Sequence, residues 1–231
     1  MSIVVPAVLP SSLKDLQGKI ALFATLPIDR IQIDVVDGRF AKPASWPYNA
    51  PDEWRKVIAQ GTLLPALDRI AYEIDLMCYD AEEVAEAWLA LGATRLTFHA
   101  ESTTDLTRLL ASARTRYGSI VSYGAAINIA SNLALIETSM GEIDYVQCMG
   151  IAEIGKQGQP FDTRVFEKVI IFHRHHPATP LQIDGGVSLK NAHKLLAHGV
   201  SNLVVGSGIL RANNPAAEIA KFEALQSWFG V

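Results

Sequence analysis

Several acidic side chains stand inside apolar runs that read as β-strands. In Ile31-Gln32-Ile33-Asp34-Val35-Val36, Gln32 and Asp34 are two residues apart and share one face of an extended chain. Glu73 and Asp75 stand in the same relation in Glu73-Ile74-Asp75-Leu76. His99 and Glu101 follow Thr97-Phe98, Asn128 follows Ala126-Ile127, and Asp184 closes Leu181-Gln182-Ile183. A carboxylate in such a run is costly unless it is paired, hydrogen-bonded or bound to a cation. Each aspartate alone could cap a loop or meet an Arg or Lys. Asp34, Asp75 and Asp184 taken together point to acid–base chemistry or a metal, because perturbed carboxylates cluster at sites.

A second pattern is rich in glycine. Asp184-Gly185-Gly186 and Gly206-Ser207-Gly208 close two consecutive late strands. Backbone N–H groups in such loops, with a helix N-terminus behind them, cradle a phosphate. One such turn is ordinary. The pair points to a phosphate site, since loops after the last two strands of a (β/α)8 barrel are where such sites lie.

The elements that must hold these residues alternate. Strands are predicted at Ile3–Leu9, Arg30–Val36, Ala71–Leu76, Thr94–His99, Ser119–Ile127, Ile143–Met149, Thr179–Asp184 and Asn202–Gly206. Amphipathic stretches lie between them, among them Ala81–Leu91, Thr103–Tyr117, Phe161–His175 and Leu189–His198, with a last helix over Pro215–Phe229. Asp80 and Ser188 stand at N-cap positions, and Gly92 and Gly199 follow helices as C′ glycines. Eight such units predict a TIM barrel, a single α/β domain over residues 1–231. An open doubly wound sheet would carry a glycine fingerprint after strand 1, where the chain reads Leu9-Pro10-Ser11-Ser12. The long loops, 37–49 and 150–160, follow strands 2 and 6, on the barrel face where active sites form.

Composition narrows the class. The chain has 231 residues, 49 % hydrophobic and 19 % charged, with net charge −4. There is no basic face of the kind nucleic acid needs, no run long enough to span a membrane, and no signal-peptide pattern. Cys78 and Cys148 lack metal-ligand spacing, which fits a cytoplasmic setting. His173, His175 and His176 fall at a helix end on the opposite barrel face and read as solvent and helix-dipole contacts. His193 and His198 read as surface residues. Trp54, Trp88 and Trp228 read as helix packing, whereas Trp46, in the loop after strand 2, could cover the site. Met77 and Met149 read equally as core or pocket wall.

Taken together these motifs resemble the ribulose-phosphate 3-epimerases. The resemblance runs through Ile33-Asp34-Val35-Val36-Asp37-Gly38-Arg39-Phe40, Asp75-Leu76-Met77, Thr97-Phe98-His99-Ala100-Glu101, Gly124 to Ser131, Ile183 to Val187 and Val205 to Ile209. It implies a sugar 3-epimerase acting on a ketose phosphate such as D-ribulose 5-phosphate. Asp34 and Asp184 would exchange the C3 proton on opposite faces through an enediolate, with pKa values pushed toward neutrality. Gly185, Gly186, Gly206 and Ser207 would hold the phosphate, and the loop containing Gly158 would close over it. A metal would polarise the C2 carbonyl. The resemblance also implies a homo-oligomer.

The chain departs from the family at the metal. Gln32 and Asp75 stand where the family has histidines, so the implied ligand set is Gln32, Asp34, Asp75 and Asp184. An all-oxygen set favours Mg2+ or Mn2+ over Zn2+. Without a metal, three carboxylates push one pKa up unless a Lys or Arg intervenes. Pro6-Ala7 replaces an early Pro-Ser, Val36 replaces a methionine, and Ile154 to Gln159 replaces a shorter glycine-rich loop containing a proline. A related lyase or decarboxylase would carry an Asp-x-Lys pattern, which Asp34-Val35-Val36 and Asp75-Leu76-Met77 lack. A non-catalytic phosphate-binding barrel is the third reading.

Overall fold

The computed structural model describes residues 2–226 and forms one closed barrel of eight parallel strands in sequence order. These are β1 (Val4–Val8), β2 (Arg30–Val36), β3 (Ala71–Met77), β4 (Arg95–His99), β5 (Ser122–Ile127), β6 (Tyr145–Met149), β7 (Leu181–Asp184) and β8 (Asn202–Val205). The helices are α1 (Leu13–Phe23), α2 (Pro51–Gln60), α3 (Ala81–Ala90), α4 (Leu106–Tyr117), α5 (Ala134–Glu137), α6 (Val165–His175), α7 (Leu189–Ala197), α8 (Ser207–Leu210) and α9 (Pro215–Glu223). The predicted TIM barrel is therefore the fold, in a single domain. Trp228 and Phe229, the end of the predicted last helix, lie outside the described residues.

Parallel strands buried on both faces explain the β-branched runs. β1 pairs with β8 through Val4↔Leu203, Val5↔Val204 and Pro6↔Val205, which closes the ring. Glu223 of α9 reinforces that seam by accepting from the Ile3 and Val4 amides at 3.3 and 3.2 Å. Outside the strands, Phe23, Trp88, Phe172 and Phe222 fill the layer under the helices. Cys78 and Cys148 are buried and free.

Two local readings change. Asp80 starts α3, but its carboxylate makes no cap bond and accepts the Tyr48 hydroxyl instead. Trp46 does not cover the barrel mouth. It is buried, donates Nε1 to Glu53 at 2.8 Å and packs edge-on against Trp54 and Trp88. An indole with its N–H satisfied by α2 gains more from that apolar layer than from solvent.

The lumen is unusually polar. On the floor, Glu73 lies between Arg30 Nη1 at 3.2 Å and Arg95 Nε at 2.9 Å. Arg95 also lies over the Tyr145 ring, 4.0 Å from its centroid. Above that layer Gln182, Gln147 and Gln32 reach inward, all buried.

Candidate active site

The strand register brings the aspartates together. Asp34 of β2 pairs in register with Asp75 of β3, and Asp184 ends β7 across the lumen. One carboxylate oxygen from each of Asp34, Asp75 and Asp184 lies within 4.8 Å of the others. Gln32 Nε2 donates to Asp34 Oδ1 and to Asp184 Oδ2, both at 2.9 Å. β2 and β7 are not neighbours, so this bond crosses the barrel interior.

Burial sets the charge of the cluster. It drives the Asp34 carboxyl well above its ordinary range, and Asp184 and Asp75 add to the effect. Burial, then Asp75, pushes Asp184 up to about 7, against the pull of the Gln32 hydrogen bond and His99. His99 Nε2 lies 3.0 Å from Asp75 Oδ1. Burial lowers the His99 pKa, but Asp75 outweighs it and the net direction is up. Among the described residues, no Lys or Arg ion pair reaches these three aspartates.

The donor set fits a hard cation. Its three carboxylates converge, and Gln32 Oε1 is buried without a partner. Turning that amide over would add a fourth oxygen. His99 behind Asp75 provides the outer contact that orients a ligating carboxylate.

Beside the carboxylates lies the glycine cradle. The pocket is walled by Asp34, Asp184, Met77, Met149, Gly155 to Gln159, Gly185, Gly186 and Val204 to Gly208. Met77 and Met149 are thus pocket walls. Gly186 has φ +68° and a Cβ there would lie 2.6 Å from the Phe161 Cα, so only glycine fits. After β8 the first helical donor back to Gly206 O is Ile209 at 3.1 Å, which leaves the Ser207 and Gly208 amides at the free start of α8. Gly158 lies against the Arg211 guanidinium.

The residues singled out in the sequence, Gln32, Asp34, Asp75, Asp184, Gly158, Gly185, Gly186, Gly206 and Ser207, gather in the lumen and around one mouth. Gln147, Gln157 and Gln182 join them without having been singled out. Gln147 Nε2 donates to Asp75 Oδ2 at 3.0 Å and accompanies Asp184 at 3.5 Å. Gln157 Nε2 lies over Gly206 and donates to Ala7 O at 3.3 Å. The signal for Gln182 was present: it stands two before Asp184, as Gln32 stands two before Asp34.

A closed parallel barrel with buried carboxylates and a glycine cradle at its C-terminal mouth defines a TIM barrel whose candidate site lies where such barrels carry their chemistry. The chain belongs to the ribulose-phosphate 3 epimerase family, whose model matches residues 3–210. It is similar to the ribulose-phosphate 3-epimerase of Aquifex aeolicus, 27 % identical over 203 residues, covering 85 % of this chain and 84 % of that one. The ribulose-phosphate 3-epimerase of Schizosaccharomyces pombe is 22 % identical over 233 residues, covering 98 % and 97 %. In fold it resembles KGPDC from Streptococcus mutans, at TM-score 0.70 and 16 % identity over 98 % of both chains. Among the described residues no helix is long and apolar enough to cross a membrane.

Proposed function

We propose that the chain is a sugar-phosphate 3-epimerase acting at C3 of a ketose phosphate such as D-ribulose 5-phosphate. One observation carries this reading: Asp34 and Asp184 lie on opposite sides of the lumen, joined by Gln32, and burial raises both carboxyl pKa values, that of Asp184 to about 7. In the forward direction one aspartate, ionised, takes the C3 proton, and the C3–H electron pair moves into an enediolate. The other, protonated, returns a proton to C3 from the opposite face. The two groups exchange roles in the reverse direction, so each needs a pKa near working pH.

The phosphate sits on the amides of Gly185, Gly186, Gly206 and Ser207, with Gly158 above it. Family membership supports that assignment, as does a glycine cradle that admits no Cβ at Gly186. Asp34, Asp75, Asp184 and the turned Gln32 Oε1 would hold a divalent cation, Mg2+ or Mn2+ in preference to Zn2+. Such a cation would supply positive charge to the developing enediolate oxygens.

Solvent deuterium incorporation at C3 of ribulose 5-phosphate tests the reading, run on stripped protein and then with Mg2+, Mn2+ or Zn2+. Exchange is expected to be strongest with Mg2+ or Mn2+. A folded protein that exchanges under none of these conditions would overturn it.

A further inference from the structure

The lumen glutamines form a directed chain that begins at Glu73, two residues before Asp75 on β3. Glu73 Oε2 accepts from Arg30 and Arg95, and its Oε1 accepts from Thr97 Oγ1 at 3.2 Å. Thr97 has one hydrogen and uses it there, so the 2.8 Å contact between the Thr97 and Tyr145 hydroxyls is donated by Tyr145. Glu73 is thus a carboxylate surrounded by donors, and Gln182 meets it with its NH2 end. The second hydrogen of Gln182 Nε2 goes to Gln147 Oε1 at 2.7 Å. That turns the Gln147 NH2 toward Asp75 Oδ2 at 3.0 Å and Asp184 Oδ2 at 3.5 Å.

The two ends of an amide are nearly the same shape, so its partners alone choose its direction. Gln182 Oε1 is buried without a partner. Inverting Gln182 would relieve that atom but would aim an oxygen at the Glu73 carboxylate. Gln147 would then invert as well and present an oxygen to Asp75 and Asp184. Leaving one oxygen unpaired costs less than setting oxygen against carboxylate at both ends of the chain.

We infer that Glu73 is a positioning residue: through Gln182 and Gln147 it fixes a hydrogen-bond donor beneath Asp75 and Asp184. The inference deepens the epimerase reading and rests on it only for the effect on turnover.

The test follows the Gln147 side-chain amide by NMR, assigned by its disappearance in Gln147→Met. In the wild-type protein its NH2 protons should show cross-relaxation to the Met149 side chain, whose Sδ lies 3.5 Å from Nε2. Cross-relaxation to Gln182 instead overturns the inference without any variant. Gln182→Met cuts the chain while leaving Glu73 with its arginines, and Glu73→Gln keeps the shape while freeing Gln182 to invert. Each should shift the Gln147 amide signals and slow C3 exchange about 10-fold at unchanged KM. Unmoved amide signals in both variants overturn the inference, and so does a raised KM at unchanged kcat. A wild-type protein that binds ribulose 5-phosphate without exchanging it would sink the epimerase reading, while the amide signals still decide the chain of orientation.

Discussion

Replacing Asp184 with Asn should make the metal-free protein more stable at pH 8 and inactive. The Asp184 carboxyl is pushed from 3.8 to about 7, first by burial and then by Asp75. Between those values the folded state holds a proton that the unfolded state has lost. Stability therefore falls as pH rises through that window, and the loss is complete above it. A rise of roughly three pKa units corresponds to about 4 kcal/mol. Asparagine removes that cost and forfeits about 1 kcal/mol of hydrogen bonding from Gln32 and Gln147. Relief of Asp34, whose pKa Asp184 also raises, adds to the gain. The net gain is about 3 kcal/mol, or a Tm higher by roughly 6–12 °C for a chain of this size. Thermal unfolding in chelator measures it. The gain should shrink to within about 1 kcal/mol at pH 4, where wild-type Asp184 is neutral in the folded state. A gain equal at both pH values, or a variant less stable at pH 8, would show that burying this carboxylate carries no cost.

The remaining perturbations have equally definite outcomes. Asp34→Asn should lower C3 exchange by about two to four orders of magnitude, the usual weight of one acid–base group, with little change in phosphate affinity by calorimetry. Mg2+ at 100 times its Kd should stabilise wild-type protein by about 2.7 kcal/mol, and Gln32→His should shift the preference toward Zn2+ in competitive titration. Gly186→Ala places a Cβ 2.6 Å from the Phe161 backbone and should raise KM for ketose phosphate while lowering Tm. Trp46→Phe should cost about 1 kcal/mol in urea titration through the lost bond to Glu53, with C3 exchange unchanged.

The alternation of strand and helix was legible because both faces of a parallel strand are buried. β2 matches its predicted span of Arg30–Val36 residue for residue, since every inward and outward position there is specified. β5 begins at Ser122 instead of Ser119, for Ile120 is β-branched yet 87 % exposed in the approach to the strand. The aspartates stood out because a carboxylate in an apolar run is conspicuous. Gln147 and Gln182 did not, because a neutral amide in a strand carries little penalty on paper. Their importance depends on which strands face each other across the lumen, and that is a property of closure. Trp46 was misread for the same reason: its partner Glu53 and its neighbour Trp88 lie on two different helices.

The seam between β1 and β8 also bears on how the chain is made. Val4 pairs with Leu203, so β1, once synthesised, has a partner on only one side until about 200 residues later. At about 5–20 residues per second that is roughly 10–40 s. Throughout that interval the apolar run Val4–Val8 is an open sheet edge, the kind of surface that recruits strands from other chains. The Glu223 latch arrives later still. A ribosome stalled before β8 would therefore display an unfinished sheet, and protection of the nascent chain by a holding chaperone matters most over that stretch of synthesis.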